Sequence, residues 1–212
     1  MASKVKGAPL SRDFKKDTLT RDQARQLLES EREKRDYAIL SLMLRPGLRD
    51  IEVVRADVGD VKPHSGVMAL FVHGKGHSEK DDFVVLTDSP LADINRYLAE
   101  RGNPSPAEPL FASTSNRNKG GRLTTRSVSG IVKKALRSIG LDSERYTAHS
   151  LRHTSVTYAL LGGATVEEAQ KMARHADIST TMVYAHHVDR VRHASEYRVS
   201  AYLDEELQIP DA

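Results

Sequence analysis

The sequence predicts a mainly α-helical fold that carries a small antiparallel β-sheet of two or three strands. Two observations predict it. Apolar residues recur at helical spacing on both sides of residues 58–87, and that stretch alone is rich in β-formers set between glycines. The length of 212 residues, 39% of them apolar, suffices to bury one full core in a single globular domain, with room for a small appendage.

Each element follows in order. Residues 1–17 are small, polar and basic, and read as a linker or an added N-terminus. Thr20-x-x-Gln23 has capping-box spacing, with Ala24, Leu27 and Leu28 as the apolar stripe behind it. A second helix over 35–45 stops at Pro46-Gly47, and a short one follows over 50–55. Residues 67–72 and 83–86 are the β-rich runs, punctuated by Gly66 and by Gly74-Lys75-Gly76. Leu91, Ile94, Tyr97 and Leu98 return to helical spacing over 91–101. From Thr124 the stripe Val128, Ile131, Val132, Ala135, Leu136 and Ile139 marks a long helix ended by Gly140. Further helices fit 148–161, 166–174, 179–187 and 191–203, and an acidic tail occupies 204–212.

Composition removes whole classes of function. With no Cys there is no disulfide framework, thiolate metal site or cysteine nucleophile, which agrees with a reducing compartment. The longest mostly apolar run, 37–44, is far too short to span a bilayer, and the first residues have no signal-peptide character. A soluble, cytoplasmic protein is expected. No P-loop or Rossmann glycine pattern is present. The formal charge is only +3, but residues 109–141 carry Arg117, Lys119, Arg122, Arg126, Lys133, Lys134 and Arg137 with no acid. Such a segment suits a polyanion partner.

The chemistry-bearing residues gather late in the chain. His149, Arg152 and His153 share one face of a helix. Zinc is disfavoured, because Ser150 stands where a metalloprotease needs Glu. Two imidazoles and a guanidinium instead form a donor-rich face suited to phosphate. His175 and Tyr184 are nine residues apart, about 900° around an unbroken helix, and so on opposite faces. They can converge only if the helix breaks between them, with Asp177 or Ser179 capping the second piece.

His149-x-Leu151-Arg152-His153, then His175, then Tyr184-x-His186 preceded by Thr180-Thr181, resembles the catalytic signature of the tyrosine recombinases, the lambda-integrase family. Upstream, Gly47-Leu48-Arg49-x-x-Glu52 resembles the family's first-arginine motif, and Gly74-Lys75-Gly76 its lysine hairpin. The likeness spans about 18–203, and the wording Arg49-Asp50-Ile51-Glu52 is similar to integrases of conjugative transposons and phages.

That resemblance implies a catalytic domain over 18–203 that performs site-specific recombination, integrating or excising a mobile element. Tyr184 would be the nucleophile of a 3′-phosphotyrosyl intermediate. Its ordinary pKa near ~10 demands proton removal or a cationic setting. Arg49 and Arg152 would clamp the non-bridging oxygens, His175 would add a donor, and His149 would handle the tyrosine proton or support the phosphate. Lys75 would protonate the leaving 5′-oxygen, with Lys80 as its competitor. No metal and no cofactor are implied, because the covalent ester conserves the bond.

Arg122, Arg126, Lys133, Arg174 and His153 are further DNA-contact candidates. Arg174 stands where the family usually has Gly, and Pro46 where Thr or Ser is common. The expected partners are double-stranded DNA, further copies of the chain in a synaptic tetramer, and accessory DNA-bending or excision factors, on a bacterial nucleoid and not at a membrane. Residues 4–17 resemble the linker after a core-binding domain, so the chain reads as the catalytic half, naturally short or trimmed. The segment 191–203 resembles the helix such proteins donate to a neighbour; packing within the same chain is its alternative. Competing readings are a DNA-binding regulator without strand transfer, a type IB topoisomerase-like enzyme and a His-based metal hydrolase.

Overall fold

The computed structural model describes residues 18–74, 79–192 and 195–204. Helix α1 (Arg21–Ser30) opens with the expected capping box: Thr20 accepts from the Gln23 amide and Gln23 reaches back to the Thr20 amide. Helix α2 (Lys34–Leu44) is buried on nearly every side, because it packs against α4 on one flank and α6 on another. Gly47 then takes a left-handed φ of 69°, and a Cβ there would meet Ser155 Oγ at 2.9 Å. Only glycine lets the chain turn this close to α6. Helix α3 (Asp50–Arg55) follows, with Arg49 at its N-cap.

After a 3₁₀ turn (Val58–Asp60), strands β1 (Val61–His64), β2 (Val67–Val72) and β3 (Asp82–Val85) form one antiparallel sheet in the order β1-β2-β3. Leu70 pairs with Val61 on one side and Val84 on the other, which turns Leu70 and Val84 into the core. The sheet therefore has the larger of the two expected strand numbers.

Helix α4 (Asp88–Glu100) starts earlier than its apolar stripe suggests, since Pro90 is tolerated in the first turn, where its missing amide costs nothing. Helices α5 (Thr125–Ser138), α6 (Ala148–Leu161), α7 (Val166–Ala173), α8 (Ser179–Arg192) and α9 (Ser195–Leu203) complete the described fold. The expected end of the next helix at His187 also differs: α8 continues to Arg192, and among the described residues α9 runs from Ser195 to Leu203.

Two apolar clusters hold the chain. The larger joins α1 to α5, the sheet and the first turn of α6 through Leu27, Leu40, Leu70, Ile94, Leu136 and Leu151. The smaller joins the second half of α6 to α7 and α8 through Val156, Leu160, Ala169, Ala173 and Val188. Helix α6 is thus the hinge pin of the molecule. Thr154 Oγ1 accepts from the Leu19 amide at 2.9 Å, and the Tyr158 hydroxyl donates to the Leu19 carbonyl at 2.9 Å, tying the N-terminal entry to it. Ser155 Oγ donates to the Arg45 carbonyl at 2.7 Å, which fixes the α2–α3 turn against it. The seam between the clusters is where the polar motifs meet.

Candidate active site

The helix break that lets His175 and Tyr184 converge is present. Helix α7 ends at Ala173, Arg174 turns left-handed with φ 52° and ψ 46°, and α8 restarts at Ser179. The Asp177 carboxylate accepts from the Ser179 amide at 2.8 Å and closes the new turn. This reversal brings His175 over the Tyr184 ring, with centroids 6.4 Å apart and planes 17° from parallel. Tyr184 also meets His153, with centroids 5.1 Å apart, and the phenol oxygen is hydrogen-bonded to His153 Nδ1. His149 stands edge-on to His153 at 4.4 Å. Tyr184, only 5% exposed, therefore contacts imidazoles from both α6 and the α7–α8 turn.

Two arginines line the same cavity, Arg152 from α6 and Arg49 from the N-cap of α3. Arg152 is 3% exposed, donates from Nη1 to the Gly47 carbonyl at 2.5 Å, and donates from Nη2 to the Ala173 carbonyl. Arg49 donates from Nη1 to Glu52 Oε1 at 2.7 Å and from Nη2 to the Arg174 carbonyl at 3.0 Å. The spent end of α7 thus offers carbonyls to both guanidiniums, as a helix C-terminus should. Arg49, His149, Arg152, His153, His175 and Tyr184 all line one open cavity of about 500 Å³. Gly74 also lines it. Lys75, the next residue, lies outside the described residues.

Electrostatics follow from crowding. Burial, then the charges of Arg49 and Arg174, push the Arg152 guanidinium down to about 9, still protonated at neutral pH. His175 falls to about 4 from burial first and then from Arg152, Arg49, Arg174 and His149, so its imidazole is neutral at pH 7. Its Nδ1 lies 2.9 Å from the fully buried hydroxyl of Thr181. Burial alone would raise the Glu52 carboxyl, but Arg174 and Arg49 outweigh it and hold it below the usual carboxylate range.

The remaining DNA-contact candidates are placed differently from one another. Arg126 is exposed on the first turn of α5. Lys133 reaches the carbonyls of Asp142 and Ser143 at 3.0 and 2.9 Å. Arg122 turns inward onto the Asp57 carboxylate and the Val54 and Ala56 carbonyls. Arg174 also turns inward, onto Glu52, with its side chain 4% exposed. Lys80, the competitor of Lys75, sits between the carboxylates of Asp57 and Asp60.

Glu52 and Thr181, which sequence reasoning named only in passing, hold Arg49 and His175 by hydrogen bonds. The three-residue spacing from Arg49 to Glu52 was the available signal for the first, since it permits both an i,i+3 ion pair and a main-chain cap. Among the described residues no three His, Asp or Glu side chains are grouped to hold a metal ion.

The phage integrase family is matched over residues 17–190. The tyrosine recombinase XerC of Caldanaerobacter subterraneus subsp. tengcongensis is 33% identical over 172 residues, covering 79% of this chain and 46% of that protein. XerA of Pyrococcus horikoshii is 32% identical over 183 residues, covering 86% of this chain and 61% of that protein. The chain therefore spans about half the length of the curated relatives it matches. The crystal structure of XerA recombinase superposes with a TM-score of 0.69 at 25% identity, over 85% of this chain and 65% of that one. A post-cleavage complex of the XerH site-specific recombinase on its palindromic difH substrate shares the fold, with a TM-score of 0.71 at 23% identity over 86% of this chain and 53% of that one.

Proposed function

The chain belongs to the phage integrase family, and on that footing we propose that it cuts and rejoins DNA strands at a specific site through Tyr184. One observation carries the reading: Tyr184 contacts His153 and His175 in the same cavity that Arg49 and Arg152 line.

In the forward step the Tyr184 oxygen attacks the scissile phosphorus. A bond forms from the phenol to the 3′-phosphate, and the bond from phosphorus to the 5′-oxygen breaks. The phenolic proton passes to an imidazole of the His149–His153 pair, of which His153 is the hydrogen-bonded member. Arg49 and Arg152 exchange their carbonyl acceptors for the non-bridging oxygens and stabilise the charge that builds there. Neutral His175 donates a further hydrogen bond through the ring nitrogen that Thr181 does not occupy. Lys75 supplies the proton for the departing 5′-oxygen; the capture of Lys80 by Asp57 and Asp60 favours it over that competitor. Rejoining is the reverse, with a 5′-hydroxyl attacking the phosphotyrosine, so neither a metal nor a nucleotide is consumed.

The partner in this reading is double-stranded DNA, approached by the basic face that includes Arg126. Further copies of the chain assemble on it, which agrees with α9 leaving Tyr197, Val199, Tyr202 and Leu203 exposed. The finer role is integration or excision of a mobile element, supported by the wording of the Arg49–Glu52 motif. No described helix is long and apolar enough to cross a membrane.

The test uses a pool of nicked duplexes with a randomised core, incubated with the protein and resolved under denaturing conditions. The expected result is a protein–DNA adduct that survives EDTA and disappears in Tyr184→Phe. An adduct formed equally by Tyr184→Phe overturns the assignment, and relaxation of plasmids irrespective of sequence overturns the site-specific reading in favour of a topoisomerase.

A further inference from the structure

Arg174 occupies a backbone position that favours glycine. It ends α7 in the left-handed region, with its amide and that of His175 both turned back onto the Gln170 carbonyl. A residue there for backbone reasons alone would best be Gly. Its guanidinium, moreover, is among the most deeply buried charges of the described residues, at 4% side-chain exposure against Glu52 at 5%. A long cation kept in a strained position and taken out of water calls for a reason beyond ending a helix.

The hydrogen bonds around Glu52 supply it. Oε1 accepts from Arg49 Nη1 at 2.7 Å and from Arg174 Nε at 3.2 Å. Oε2 accepts from the Arg49 amide at 2.7 Å and from Arg174 Nη2 at 2.6 Å. Arg174 Nη1 is anchored to the Met172 carbonyl at 2.6 Å, so its fork cannot swing away. One carboxylate is thus divided between two guanidiniums, and only one of them, Arg49, lines the cavity that holds Tyr184.

We propose that Arg174 is a positioning residue for Arg49: it takes half of the Glu52 carboxylate, so that Glu52 orients the Arg49 guanidinium without cancelling its charge. Its left-handed backbone acts in the same direction, by turning the Arg174 carbonyl onto Arg49 Nη2 at 3.0 Å. Without the Arg174 side chain, Glu52 and Arg49 close into a neutral pair, and the cavity loses net positive charge where a phosphate would sit. A lysine keeps the charge but cannot match both carboxylate oxygens with a planar fork.

The inference rests on Arg49 serving as a phosphate clamp, and two measurements keep its failure separate from the failure of that reading. The first is single-turnover cleavage of a duplex selected by the wild-type protein. Arg174→Gly should cut about 10- to 100-fold more slowly, the scale of a misplaced catalytic group. In an Arg49→Ala background Arg174→Gly should leave duplex affinity and its salt dependence unchanged, and with Arg49 in place Arg174→Lys should recover part of the rate. In an Glu52→Gln background the same Gly substitution should change the rate little, because its route of action is gone.

Three results overturn the inference: a wild-type rate in Arg174→Gly, an undiminished Gly effect in the Glu52→Gln background, or, in the Arg49→Ala background, weaker binding with the salt slope reduced by about one. The last would make Arg174 a phosphate ligand itself. The second measurement needs no DNA: carbon NMR of the Glu52 carboxyl in the folded protein. Glu52 should titrate at higher pH in Arg174→Gly, and to a smaller extent in the gentler Arg174→Lys. An unmoved Glu52 in both overturns the inference whether or not any duplex is cut.

Discussion

Replacing His175 with Asn should make the fold less sensitive to mild acid. In the folded chain His175 takes up its proton only near pH 4, because burial and the Arg152, Arg49 and Arg174 charges oppose an imidazolium. In the unfolded chain the same ring titrates near ~6.5. Between those values the unfolded state binds more protons, so stability is fully present above about pH 6.5 and drains away as pH falls. Linkage over that gap amounts to about 2 kcal/mol at pH 5 and almost nothing at pH 7. The ring is only about half withdrawn from solvent, and screening reduces the figure to about 1 kcal/mol. Asn keeps a polar atom near Thr181 and cannot titrate. Urea denaturation at pH 7 and pH 5 should therefore show wild type losing about 1 kcal/mol more than His175→Asn. Glu52 and Asp57 lose their own contributions only at lower pH, because both are held below the usual carboxylate range, and both proteins share them. Parallel losses in the two proteins would refute the neutral, charge-crowded imidazole.

Two further outcomes follow from the same geometry. Thr181→Val removes the hydroxyl that lies against His175 Nδ1 while keeping the side chain's shape. It should cost about 1–3 kcal/mol in urea denaturation and slow cleavage, and Thr181→Ser should restore both. His153→Ala removes the nitrogen bonded to the Tyr184 phenol. Formation of the covalent adduct should slow by about 100-fold or more, with duplex affinity unchanged by filter binding. An equal loss in affinity and rate would place His153 on the DNA instead.

How much of this was legible in the sequence depends on how local each signal is. The α1 capping box and the α5 stripe are written within a few consecutive turns, and both formed where their residues dictate. The end of α8 was hidden because the mixed polar stretch after His187 has no clear apolar period, although the helix carries on through it with Val188 in the core. The start of α4 was hidden by a proline that helices accept only in their first turn.

At the site, separate motifs could be read as a set, but not the partners each residue chooses. Arg122 and Arg174 look alike on paper, as positive charge beside a DNA-binding region. Each turns inward because an acid remote in sequence, Asp57 or Glu52, lies under it in the fold. His153 follows Arg152 directly, yet one turns toward Tyr184 and the other toward backbone carbonyls of Gly47 and Ala173. Only the closure of α7 and the α2–α3 turn onto α6 decides that difference.

The central claim is that one phenol carries the DNA. Protease digestion of the trapped adduct, followed by nuclease trimming and mass spectrometry, locates the linked residue directly. The nucleotide should remain on the peptide that contains Tyr184, as a 3′-phosphotyrosyl ester. A nucleotide on Tyr197 or Tyr202, both far more exposed, or on a serine or histidine peptide would contradict it.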